Sequence, residues 1–169
     1  MKILGVIPAR FKSSRFPGKP LADIHGKPMI LHVYENAMKV SLFDKVLIAT
    51  DDERIASECT RHGMSFVMTS DEHKTGTDRV AEVAEKYAAD FYVNIQGDEP
   101  LVSPDTIELA IQPAISNADF DAINLMTEIR DISDLVNSTI PKVVVNIRNE
   151  AIFFSRSPIP YPKSERPKY

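Results

Sequence analysis

Short runs of apolar and β-branched residues alternate along this chain with stretches that carry an apolar stripe at helical spacing. This alternation limits the fold more than any other feature. Residues 2–7 (Lys-Ile-Leu-Gly-Val-Ile), 45–50 (Lys-Val-Leu-Ile-Ala-Thr), 65–68 (Ser-Phe-Val-Met) and 91–95 (Phe-Tyr-Val-Asn-Ile) read as buried strands. Between them Ile30, Val33, Tyr34 and Ala37 mark a first helix with Pro28 in its first turn, and Ile55, Ala56 and Cys59 mark a second, capped by Asp51 or Asp52 and stopped by Gly63. Val80, Val83, Ala84 and Tyr87 form the face of a third, with Thr77 as the expected cap. Ser103-Pro104-Asp105 opens a fourth, with Ile107, Ala110, Ile111 and Ala114 on its face. Further strands are expected at Ala122–Met126, Lys142–Ile147 and Ala151–Phe154, the last two joined by a turn at Arg148-Asn149-Glu150. Strands that alternate with helices in this way predict an α/β fold with a doubly wound, mostly parallel sheet.

With 169 residues the chain suits one domain that buries a large core. Its net charge of −4 argues against a nucleic-acid coat or a polybasic membrane module. Cys59 alone excludes a disulfide framework and a cysteine-based zinc site, and its place on an apolar helix face makes it a small core residue. No apolar run approaches the 18 or so residues of a membrane span. The opening Met1–Ile7 lacks the apolar length and the cleavage site of a signal peptide, so a reducing cytoplasm is the expected compartment.

In open α/β sheets ligands bind beyond the carboxyl ends of the strands. After the first strand come Arg10, Lys12, Arg15 and Lys19, in an opening of 22 residues that holds no acid. Pro17 and Pro20 stiffen the bend around Lys19, Gly18 allows a close approach of backbone, and Ser13 and Ser14 add hydroxyls. Neither G-x-G-x-x-G nor a Walker loop is present. Two readings fit: a solvated basic loop, or a site for a triphosphate whose charges are met at fixed points. After the fourth strand, Gln96-Gly97-Asp98-Glu99-Pro100 offers carboxylates that either cap a turn or hold a divalent cation. After the third, Thr75-Gly76-Thr77 either caps a helix or meets a base edge. His25, His32, His62 and His73 show no ligand spacing and no nucleophile partner.

Several segments together resemble the 3-deoxy-manno-octulosonate cytidylyltransferase (CMP-Kdo synthetase) family. They are Ile7-Pro8-Ala9-Arg10-x-x-Ser13-x-Arg15-x-Pro17-Gly18-Lys19-Pro20-Leu21, Gly26-Lys27-Pro28-Met29-Ile30, Ala49-Thr50-Asp51 and His73-x-Thr75-Gly76-Thr77-x-Arg79. Asn94 to Pro100, Lys142-Val143-Val144 and Phe154-Ser155-Arg156-x-x-Ile159-Pro160 follow in the same order. The resemblance implies a nucleotide-diphospho-sugar transferase fold and a cytoplasmic enzyme that joins CTP to a 3-deoxy-2-ulosonic sugar acid, with Mg²⁺, to give a CMP-sugar for lipopolysaccharide and pyrophosphate. It assigns Arg10, Ser13, Arg15 and Lys19 to the triphosphate, and Ala9 with Thr75, Gly76, Thr77 and Arg79 to the nucleotide. Asp98 goes to Mg²⁺, and Gln96 and Arg156 go to the sugar acid. Arg10, Lys19 and Asp98 are thereby the catalytic group.

Two departures shape the expectations. Family members continue beyond this length, through a His-x-Gly-x-Tyr segment for sugar and dimer contact and an Asp-Thr-Pro-Glu-Asp segment with a second metal carboxylate. A shortened chain is therefore expected, with low turnover here and a homodimer at full length. Asn137-Ser138-Thr139-Ile140-Pro141-Lys142 replaces the family's Asn-Pro-Asn-x-Val-Lys and leaves room for another sugar acid. A nucleotide-binding chain without turnover is the alternative. Residues 155–169 hold four of the twelve prolines and no core periodicity, so the expected organisation is a nucleotide-binding domain over 1–154 and a Pro-rich connection over 155–169.

Overall fold

The computed structural model describes residues 1–12, 16–116 and 120–159. They form two compact units, Met1–Ile123 and the residues from Asn124 onward. This partition by packing differs from the one drawn at residue 154 on proline content, and residues 160–169 lie outside the described set.

The first unit is built on four parallel strands, β1 (Ile3–Ala9), β4 (Lys45–Thr50), β5 (Phe66–Met68) and β6 (Phe91–Asn94), in the spatial order β5-β4-β1-β6. A two-residue hairpin, β2 (Asp23–Ile24) and β3 (Lys27–Pro28), lies within the long stretch that the sequence presents as loop. His25 and Gly26 form its turn with φ of 51° and 82°, the left-handed pair that a tight hairpin needs. Helices α1 (Met29–Ala37), α2 (Glu53–Arg61) and α3 (Gly76–Lys86) connect the strands, and α4 (Pro104–Ser116) follows β6. The expected mostly parallel, doubly wound architecture is therefore present.

Side-chain alternation explains the layers. Ile3, Ile7 and Ala9 of β1 and Val46 and Ile48 of β4 share one core cluster with residues of α1, α2 and α4. Val6, Leu47 and Ala49, one residue out of phase, pack with Val80 and Val83 of α3 in a second cluster. Each fully buried aliphatic side chain contributes about 1.5–3 kcal/mol. At its amino-terminal end β1 is pinned on both sides. Asp44 accepts from the Ile3 N–H at 2.7 Å and Asp90 from the Lys2 N–H at 2.6 Å, each from the residue just before a neighbouring strand.

One helix boundary differs from expectation. The cap of α3 is Thr75, not Thr77. The Thr75 hydroxyl accepts from the Asp78 N–H and Asp78 accepts from the Thr75 N–H, a reciprocal box that satisfies two otherwise orphaned donors. Of the two candidate caps for α2, Asp52 is the one used. Ala122–Met126 forms no strand, and Leu125 and Met126 are exposed there, so the run lacks the partner that would make its apolar side chains worth burying.

The second unit holds a short helix α5 (Ile132–Val136) and an antiparallel hairpin of β7 (Lys142–Val145) and β8 (Ala151–Ser155). Asn149, at φ 61°, sits in the expected turn.

Candidate active site

The order β5-β4-β1-β6 makes the chain leave β1 on one side through β4 and β5 and return to the other side with β6. The crevice at such a reversal is where open α/β sheets bind ligands. Here β1 outruns its partner: Val6 pairs with Asn94 at the end of β6, while β1 continues to Ala9. The segment after β6 fills the notch. The Ile95 N–H donates to Val6 O at 2.9 Å, and a Cβ on Gly97 would stand 2.7 Å from Pro8 O, so only glycine lets the two chain ends approach this closely.

A cleft of about 500 Å³ opens at this point. Ala9 lines it from the end of β1, Arg10, Phe16, Lys19 and Pro20 from the segment that follows, and Gln96, Gly97 and Asp98 from the segment after β6. His73, Lys74, Thr75, Gly76 and Arg79 complete its wall. Of the residues assigned by resemblance, Ala9, Arg10, Lys19, Thr75, Gly76, Arg79, Gln96 and Asp98 thus share one cleft. Thr77 lies in the first turn of α3, outside the lining. Arg156 belongs to the second unit, where its guanidinium donates to Thr139 O at 2.6 Å. Ser13 and Arg15 lie outside the described residues.

The cation turn is ordered by its own backbone. Gly18, at φ 72°, donates its N–H to Phe11 O at 2.8 Å, and Lys19–Leu21 follow as one 3₁₀ turn with Pro20 buried. Lys19 Nζ then reaches Asp98 Oδ2 at 2.6 Å, an ion pair between residues 79 positions apart. Two groups read separately in the sequence, one for phosphate and one for metal, are in direct contact. Arg10 is exposed at the cleft and makes no contact of this kind with another described residue.

The opposite wall is held by buried charge. Arg79, only 2% exposed, donates to the Thr69 hydroxyl and to Ser70 O at 3.1 Å, and its Nη2 forms an ion pair with Asp51 Oδ2 at 3.2 Å. It ties the segments after β4 and β5 to α3. Asp51 Oδ1 is buried without a hydrogen-bond partner among the described residues. Glu82 gathers Lys86 Nζ at 2.5 Å, the Ser70 N–H at 2.8 Å and His73 Nε2 at 2.5 Å. These contacts, Lys86 first, push its carboxyl down to about 2. His73 and Lys74 are cleft residues that spacing arguments miss. The signal for His73 is its companion Glu82 nine positions on, one further turn and a half along α3.

Among the described residues no three His, Cys, Asp or Glu side chains gather as a protein-built metal cage would require. A single carboxylate at a phosphate site does suit Mg²⁺, which takes one or two carboxylates and fills its shell with phosphate oxygens and water. Asp98, half-exposed beside Lys19, has that character.

The cytidylyltransferase family profile matches residues 4–169. A 3-deoxy-manno-octulosonate cytidylyltransferase of Pelobacter propionicus is 50% identical over 161 residues, covering 95% of this chain and 63% of its own length. One from Escherichia coli is 46% identical over 169 residues, covering 99% of this chain and 68% of its own. A solved structure of CMP:2-keto-3-deoxy-manno-octonic acid synthetase complexed with CTP superimposes with a TM-score of 0.87 at 42% identity, covering 96% of this chain and 67% of that one. The chain thus spans somewhat less than two thirds of the length of relatives such as that of Pelobacter propionicus. With the cation turn, the Gly97 approach and the Asp98 carboxylate in one crevice, and with these matches over nearly its whole length, the chain belongs to the cytidylyltransferase family, among the 3-deoxy-manno-octulosonate cytidylyltransferases.

Proposed function

We propose that this chain transfers a cytidylyl group from CTP to 3-deoxy-manno-octulosonate. The anomeric hydroxyl oxygen attacks the α-phosphorus and loses its proton. The bond from that phosphorus to the β-phosphate oxygen breaks, and pyrophosphate leaves with the electron pair. The observation that carries the reading is the convergence of Arg10, Lys19 and Asp98 on one crevice beside the start of α3.

In this reading Arg10 and Lys19 meet the triphosphate and offset the charge that builds on the departing pyrophosphate. Ser13 and Arg15 add donors to the same group. Asp98 would hold Mg²⁺, which when bound neutralises phosphate charge and aligns the α-phosphate. The Thr75-Gly76-Thr77 start of α3 and Ala9 border the cytosine. Arg79 acts on the nucleotide by fixing that wall. Gln96 and Arg156 face the sugar acid, where a guanidinium suits a bidentate carboxylate contact. The product is a CMP-sugar for lipopolysaccharide, made in the cytoplasm by a homodimer. No helix among the described residues is long and apolar enough to cross a membrane.

Calorimetry with CTP and Mg²⁺ tests the binding half. Lys19→Ala should weaken CTP by about 1.5–3 kcal/mol, the size of one charge-assisted contact. Equal affinity for both proteins overturns the phosphate role. A pyrophosphate-release assay with the octulosonate tests the chemistry. Asp98→Asn should abolish turnover and keep CTP binding detectable. One observation favours a second reading, nucleotide binding without turnover: Asp98 is the only carboxylate among the described residues of the cleft lining. CTP binding without pyrophosphate release by the unmodified chain selects that reading.

A further inference from the structure

We propose that Arg54 is a positioning residue for the cation turn and acts through the Phe11 ring. The proposal rests on reading that turn as a phosphate site. Arg54 stands in the first turn of α2, outside the cleft lining. Its guanidinium lies 3.3 Å from the centroid of Phe11. Asp52 fixes the plane of that guanidinium with a two-point fork, Nε to Oδ1 at 2.8 Å and Nη2 to Oδ2 at 2.7 Å. Asp52 is fixed in turn as the cap of α2, accepting from the Arg54 N–H at 3.0 Å.

The ring that Arg54 covers is also the ring that Gly18 meets. A Cβ built on Gly18 would lie 2.9 Å from Phe11 Cζ. Phe11 O is the acceptor for the Gly18 N–H. Phe11 therefore grips the turn twice, with its backbone and with its ring, and Lys19 is the next residue. Lysine is a point charge on a flexible stem, so the place of its backbone decides where the charge can reach. A route of direct contacts runs from the α2 cap through Arg54, Phe11 and Gly18 to Lys19. An exposed ion pair two residues apart, by itself, contributes little. What gives the Asp52–Arg54 fork a role is the ring beneath it. The guanidinium plane matters as well as the charge, because a flat cation stacks on a ring and an ammonium does not.

The test uses this 169-residue chain with Arg54→Ala, Phe11→Leu, their double variant and Arg54→Lys. Exchange of the Gly18 amide, read by NMR, reports the turn without any ligand. Calorimetry with CTP reports its use. Arg54→Ala and Phe11→Leu should each speed exchange at Gly18 and leave Val6 and Ile48 unchanged. Each should weaken CTP about two- to fivefold, the value of one exposed cation–π contact. The double variant should be no weaker than the worse single, because both act on one route. Arg54→Lys keeps the charge without the flat guanidinium and should behave as Arg54→Ala does. Unchanged Gly18 exchange, an additive double variant, or faster exchange with unaltered CTP affinity overturns the proposal. If the unmodified chain binds no CTP while Gly18 exchange responds as described, the positioning role stands and the nucleotide reading falls.

Discussion

The two units are held together by different forces. The first buries aliphatic side chains on both faces of a parallel sheet, with Val6, Ile7, Ile48 and Ile55 at zero exposure. In the second, no hydrophobic side chain among the described residues is buried, and Ile152, Phe153 and Phe154 of β8 are all exposed. Its buried residue is a charged one. Lys142, 4% exposed, donates from Nζ to Asn137 O at 2.6 Å, Ile140 O at 2.9 Å and Arg156 O at 3.3 Å. The first unit is organised by excluding water from hydrocarbon. The second is organised by one ammonium that gathers three carbonyls, two from the segment before β7 and one from just past the end of β8. A parallel sheet must be covered on both faces; a hairpin needs no such cover to form its ladder.

The comparison can be broken most sharply at the sheet. Ile48→Ala should destabilise the first unit by about 2–5 kcal/mol in urea titration, since the cavity cannot collapse between two packed layers. A loss near zero would mean that the sheet does not carry the unit. Lys142→Met keeps the apolar stem and removes the donors. It should cost about 1.5–3 kcal/mol, read as faster amide exchange in β7 and β8 with β1 and β4 unaffected. Exchange that rises in β1 and β4 as well would show that the two units are not independent in this respect.

Acid sharpens the contrast within the first unit. The Glu82 carboxyl is lowered from 4.5 to about 2 in the fold. A depressed folded value stabilises fully above about 4.5 and loses that contribution as the pH falls toward about 2. Glu82→Gln should therefore be less stable than the unmodified protein at neutral pH, and the gap in melting temperature should narrow below pH of about 4.5. A gap independent of pH removes the charge from the explanation. The smallest effect is expected at Ile147, fully exposed in the hairpin turn region. Ile147→Ser should change stability by less than about 0.5 kcal/mol.

Local physics was legible and long-range contact was not. The strands and the four larger helices follow from period-2 and period-3.6 patterns, and Ser103 accepts from the Thr106 N–H as its place before Pro104 suggests. The β2–β3 hairpin was missed because His-Gly is a weak turn signal and each strand has two residues. Thr75 and Thr77 precede the same apolar face and compete as caps; Asp78, three after Thr75, is the sign that decides between them. The site was found as separate cation, carboxylate and Thr-Gly-Thr segments. That Lys19 touches Asp98, that Arg79 is buried on Asp51 and Thr69, and that Arg54 covers Phe11 all depend on residues brought together by the sheet order. No local pattern encodes that order.

The Lys19–Asp98 pair has a consequence for how the cleft fills. Each partner serves the other as counter-ion, at 2.6 Å. On the proposed roles, a phosphate that takes Lys19 strips Asp98 of its neutralising charge and makes it a better ligand for a cation. A cation on Asp98 releases Lys19 for phosphate in the same way. Such coupling is reciprocal by thermodynamic necessity, each raising the other's affinity by one common factor. The crevice thereby holds anion and cation each more tightly when the other is already in place.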